Sequence, residues 1–181
     1  MIWFRGFPNY FGMQRFGTGR VPSSVLGLAL LRKQHRSAVE LLLGARARRG
    51  RALAAFQKAS EGDFAAALAQ TPSSCLQERQ VLEHLVQQSD FETAVRAVPR
   101  HLRLLWCRAL ASEVFNRLLS AALTSGTVPD TLPLPGYGIE MEPKIKELYE
   151  KVLQDMELDP KVLLLLSHHS NHPVLTHFKS L

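Results

Sequence analysis

"RHLRLLWCRALASEVFNRLLSAAL", residues 100–123, decides the fold class. Leu102, Leu105, Trp106, Ala109, Leu110, Phe115, Leu118, Leu119 and Ala122 recur at three- and four-residue steps. That spacing makes the wide apolar stripe of a long amphipathic helix, and "TSGTVPD" ends it. Upstream, Asp63 can cap "FAAALAQ", which stops at Thr71-Pro72, and Asp90 can cap "FETAVRAV", which stops at Pro99. Between them, Cys75 to Gln88 carries Leu76, Val81, Leu82, Leu85 and Val86 on a helical face. Pro22-Ser23-Ser24 opens an earlier helix with Leu26, Leu30 and Leu31, and the set from Ala38 to Leu43 leads to Gly44, a C-terminal stop. Downstream, "TLPLPGYG" is extended and turn-forming, and its prolines exclude a central strand. Lys144 to Met156 and Asp159 to Ser167 are two final helical patterns, and "SHHSNHPVLTHFKSL" is a partly ordered tail. Strand signals are few, with Ile2, Trp3 and Phe4 as one strand end. The expected fold is mainly α, a set of helical hairpins with a few short strands.

Apolar residues make up 46% and charged residues 21% of the 181 positions, an ordinary globular mix. Runs such as Val162 to Leu166 are far too short to cross a bilayer, so no membrane partner is expected. No charged segment followed by an apolar stretch opens the chain, which argues for the nucleus or cytoplasm over secretion. Cys75 and Cys107 could pair, but buried free thiols among apolar neighbours are the better reading. Charge is unevenly placed. Residues 1–51 hold ten Lys/Arg and one acid, Glu40, whereas residues 52–181 hold twelve Lys/Arg and fifteen acids. A basic end on a mildly acidic remainder suggests an anionic partner. "ARARRGR", residues 45–51, reads as an exposed basic connection.

Several chemistries find no footing. His168, His169, His172 and His177 cluster in the tail, yet no acid or cysteine there completes a zinc ligand set, so no metal is expected. Serine elbows, phosphate-binding loops and dinucleotide fingerprints are absent from the sequence. The unusual stretch is "FPNYFGMQRFG", residues 7–17, with three phenylalanines, a tyrosine, two amides, an arginine and two glycines. Unstacked RNA bases are held between aromatic rings or against an arginine plane, and an amide offers a donor and an acceptor to a base edge. Arg5, Arg15 and Arg20 would supply phosphate contacts. An aromatic mini-core under a loop fits the same composition.

"NYFGMQRFG", residues 9–17, resembles the N-Y-[FY]-G-x-Q-R-F-G signature of the TruD family of pseudouridine synthases at eight of eight defined positions. "LLWCRALASEVFNRLLSAAL" resembles the family helix built on Ser-x-x-[FW]-N, here Ser112, Phe115 and Asn116, and "LPLPGYG" resembles the segment after it. The likeness runs from Phe4 to about Leu158 and is weakest over 52–99, which looks like an insertion of the eukaryotic, pseudouridylate synthase 7-like branch.

The resemblance implies isomerisation of uridine to pseudouridine in RNA, transfer RNA above all, without cofactor or metal. It implies Asn9 as a polar contact to the base or to the catalytic carboxylate, and Phe11 as the ring on the uracil. Gln14 and Arg15 would hold the same loop and, with Asn9 and Phe11, bind the substrate, while from the charge pattern Arg5, Arg20, Arg46, Arg48 and Arg49 would meet the RNA backbone. The family's catalytic aspartate belongs to a motif well before NYFG, and none of the eight residues ahead of Asn9 is acidic. The chain therefore reads as a slice of an α/β (α+β) catalytic domain, with a missing half as a further partner and no activity expected of the chain alone. Its expected parts are an active-site loop and basic helical segment (1–51), a helical insertion (52–99), catalytic-domain helices and turn (100–167) and a tail (168–181). A non-catalytic RNA-binding or helical interaction protein is the other reading.

Overall fold

Carboxylates punctuate the middle of the chain. A computed structural model describes residues 8–17, 19–45, 50–127, 131–135, 139–160 and 176–177. Asp63 accepts a hydrogen bond from the Ala66 amide at 3.0 Å and starts α4, Phe64–Gln70. Asp90 accepts from the Glu92 and Thr93 amides and starts α6, Phe91–Ala97. Each side chain satisfies donors that the first helical turn leaves unpaired. Between them lies α5, Leu76–Gln88.

Residues 16–107 form one compact unit. Its other helices are α1, Ser23–Leu31; α2, His35–Ala45; and α3, Gly50–Ser60. The core is assembled from α1, α2, α5 and α6, with Val39, Val81, Leu82, Leu85 and Ala94 almost wholly buried. Helix α7, Arg100–Thr124, gives this unit its residues 100–107. Helix α1 meets α7 closely: a Cβ on Gly27 would lie 2.3 Å from the Trp106 carbonyl oxygen, so only glycine fits.

The second unit contains residues 8–15 and the described residues from 108 onward. It holds the rest of α7, ended by Gly126 at φ +72°. Helix α8, Pro143–Asp155, starts with proline in its first turn and buries Ile145, Tyr149, Val152 and Leu153, positions that share one helical face. Burial pushes the Tyr149 phenol up from its ordinary value. Strand β1, Thr131–Leu132, pairs antiparallel with β2, Thr176–His177.

The architecture is mainly α, as the periodicity predicts. Some local expectations need correction. Helix α2 runs one residue past the expected stop at Gly44, to Ala45, and Gly44 lies against the Phe56 ring, 3.5 Å from a built Cβ. Gly50 and Arg51 begin α3 instead of continuing a connection. Leu76 and Val86 are exposed, since Val81, Leu82 and Leu85 span a narrow arc of α5 that leaves both outside it. Leu105 is likewise off the arc set by Trp106, Ala109 and Leu110. Part of the tail, residues 176–177, is strand. Cys75 and Cys107 are free thiols, Cys75 buried at the start of α5 and Cys107 half-buried. Burial raises the Cys107 thiol to about 11. The expected strand end at Ile2–Phe4 and the helical pattern at 161–167 lie outside the described residues.

Candidate functional site

The segment Pro8–Arg15 is a bent loop closed by its own main chain. The Tyr10 amide donates to the Pro8 carbonyl at 3.2 Å, and the Arg15 amide to the Gly12 carbonyl at 3.0 Å. The second bond closes a 3-10 turn, Met13–Arg15. Helix α7 supplies the mould. Ser112, Asn116 and Ser120 recur every four residues, so they stand in one row on the helix.

Each rung grips a different loop residue. Asn116 holds the main chain of Phe11 at both ends: its Oδ1 accepts from the Phe11 amide at 2.9 Å, and its Nδ2 donates to the Phe11 carbonyl at 3.0 Å. Ser112, only 1% exposed, donates its proton to the Arg108 carbonyl and accepts from Arg15 Nε, both at 3.0 Å. Ser120 donates to the Asn116 carbonyl at 2.9 Å. Its oxygen therefore receives the Tyr10 phenol, 3.0 Å away. Between the rungs, buried Phe115 meets the Phe11 ring edge-to-face, with centroids 5.4 Å apart at 78°. The Arg15 guanidinium carbon lies 5.6 Å from the Phe11 centroid, a cation–π distance.

The site residues named from sequence are placed as follows. Asn9 and Gln14 are exposed, and Phe11 and Arg15 are half-buried in the grip just described. Arg20 is exposed and belongs to the other unit. Arg5, Arg46, Arg48 and Arg49 lie outside the described residues. Sequence reasoning missed Tyr10 and Ser120. The signal available was the four-residue recurrence of small polar side chains, Ser112, Asn116 and Ser120, along one line of an amphipathic helix. Beside the row, a cleft of about 360 Å³ is lined by Glu113, Asn116, Arg117, Ser120, Val152 and Asp155, among others. Glu113 and Arg117 pair across one turn at 2.7 Å. Among the described residues no group of three or more His, Cys, Asp or Glu is placed to hold a metal ion.

The family described as tRNA pseudouridine synthase D (TruD) matches residues 2–132, which include both the loop and its anchoring helix. The chain belongs to the TruD family. A TruD relative from Geobacter sulfurreducens, named tRNA pseudouridine synthase D, is 39% identical over 66% of this chain and 30% of its own length. A Pyrobaculum arsenaticum protein named "Probable tRNA pseudouridine synthase D" is 30% identical over 87% of this chain and 45% of its own. The chain thus spans less than half the length of these TruD relatives. A crystal structure from Methanosarcina mazei, described under the TruD name, superposes with a TM-score of 0.78 over 96% of this chain and 51% of that one. At 19% identity, that likeness shows the fold alone. No helix among the described residues is long and apolar enough to cross a membrane.

Proposed function

We propose that this chain is the base-recognising part of an RNA pseudouridine synthase, with transfer RNA as substrate. The observation that carries the reading is the fixed presentation of Phe11 beside an exposed Asn9. Phe11 is locked by Asn116, Phe115 and Arg15, while Asn9, two residues away, stays exposed. A flipped uridine would place its ring on Phe11 and its polar edge, or the attacking carboxylate, at the Asn9 amide. Gln14 and Arg15 border that position, and Arg20, with Arg5, Arg46, Arg48 and Arg49, would meet the RNA backbone. The reaction calls for no cofactor or metal. It does need an aspartate carboxylate acting at the sugar or base. We infer that another part of the enzyme supplies it, a reading supported by relatives more than twice as long as this chain.

Two finer readings belong to the same proposal. Residues 52–99 would be an insertion of the eukaryotic, pseudouridylate synthase 7-like branch between a loop-bearing segment (1–51) and catalytic-domain helices (100–167). An RNA substrate also puts the protein in the nucleus or cytoplasm.

The test has two arms. Binding of a uridine-containing transfer RNA transcript should weaken by roughly tenfold or more in Phe11→Ala, since stacking on one ring is worth about 1–3 kcal/mol. Asn9→Ala should lose less, and tritium release from 5-tritiated uridine should be absent for the 181 residues alone. Equal binding by wild type and both variants would overturn the base-recognition reading. Tritium release by this chain would overturn the separate carboxylate.

A further inference from the structure

We infer that Arg15 is a preformed phosphate clamp and that Ser112 is the positioning residue that aims it. The inference deepens the reading above and rests on it for the identity of the ligand: the phosphodiester beside the nucleotide stacked on Phe11.

Three observations converge. First, Ser112 is buried and its single proton is committed to the Arg108 carbonyl. The hydroxyl can therefore only accept from Arg15, which fixes the guanidinium through Nε and leaves its two Nη groups unengaged among the described residues. Second, the guanidinium lies over the Phe11 ring. The charge and the stacking surface are thus parts of one rigid object. Third, no described carboxylate pairs with Arg15, although the molecule elsewhere supplies one. Arg36 lies over Phe91 at the same 5.6 Å, and its Nε bonds the Glu40 carboxylate at 3.0 Å. Arg36 is neutralised; Arg15 is anchored by a neutral hydroxyl and keeps its charge. A half-buried, oriented guanidinium with a free pair of N–H donors matches the two oxygens of a phosphate.

The clamp predicts a separation of roles. Binding of a uridine-containing single-stranded RNA is measured over a range of KCl concentrations. Arg15→Gln should lower the slope of log affinity against log salt by about 0.7, the value of one single-strand phosphate contact. Ser112→Ala leaves the charge but not its aim, so affinity should fall roughly threefold to tenfold with most of the slope retained. Ser112→Thr, which keeps the hydroxyl, should restore affinity. An unchanged slope in Arg15→Gln overturns the clamp.

A second arm follows the Arg15 Nε–H and Phe11 ring NMR signals as inorganic phosphate, uridine or uridine 5′-monophosphate is added. The clamp expects the Arg15 signal to move with phosphate and with the nucleotide, not with uridine. A moving Arg15 beside a silent Phe11 would keep the clamp and overturn base recognition. A silent Arg15 beside a moving Phe11 would do the reverse. The Ser112→Ala spectrum also reports whether that variant is folded, and Arg15→Gln, altered at a half-buried loop position, carries the slope measurement if it is not.

Discussion

Two phenylalanines in this molecule keep the same company and differ in what surrounds it. Phe11 has Phe115 at its edge and Arg15 over its ring. Phe91 has Phe64 edge-to-face at 6.0 Å and 83°, with Arg36 over its ring. Phe91 packs against the apolar core of the helical unit, and its arginine is exposed and paired with Glu40. Phe11 is instead held by side-chain hydrogen bonds to its main chain, and its arginine rests on a buried serine. The difference teaches that an aromatic–cation group is not itself a sign of function. Apolar backing with a neutralised cation makes a structural joint. Polar anchoring, with a cation that no described carboxylate pairs, is the arrangement that the proposed nucleotide site would use.

The sharpest way to break this contrast is to remove each ring. Phe91→Ala should lower the free energy of unfolding by about 3 kcal/mol, as expected for deleting a core-packed aromatic. Phe11→Ala should cost markedly less in the same urea titration, its losses falling on RNA binding. Equal destabilisation by the two would erase the distinction. A smaller effect is expected from Asn116→Ala, which strands the amide and carbonyl of Phe11. About 1–2 kcal/mol should be lost, and hydrogen exchange should show the Phe11 amide losing protection while the Leu82 amide keeps its own.

The smallest effect is on pH dependence, and it sharpens the comparison without mutating either ring. Asp90 caps the helix that begins with Phe91, and hydrogen bonds from Thr93, side chain first and then backbone, hold its carboxyl below the usual 3.8. A depressed carboxylate contributes stability that is present above its unfolded value and is lost as pH falls through the folded one. An acid titration should therefore loosen the start of α6 at pH values under 3.8, and Asp90→Asn should flatten that limb. The side chains gripping the Pro8–Arg15 loop are hydroxyls, an amide and a guanidinium, without a carboxylate. Its Phe11 amide should keep its protection over the pH range where the α6 cap fails.

The helices were legible because their causes are local. Asp63 and Asp90 sit directly before the turns they cap, and the stripe on α7 repeats within a few residues. The limits of that legibility were also local in origin. Gly44 reads as a stop although α2 runs one residue past it, and Leu76 reads as core until the arc of α5 is drawn. At the site, the signature gave Asn9, Phe11, Gln14 and Arg15, and the helix motif gave Ser112, Phe115 and Asn116. What joins the two sets was hidden, because hydrogen bonds spanning 97 to 110 residues leave no periodic trace. Ser120 and Tyr10 belong to that hidden part.

The 105 residues between Phe11 and Asn116 also set an order of events during synthesis. At roughly 5–20 residues per second, Phe11 leaves the ribosome several seconds or more before its anchor exists. All of residues 16–107, the other compact unit, are synthesised within that interval. The Pro8–Arg15 loop is thus closed onto its anchor late, once α7 emerges to receive it.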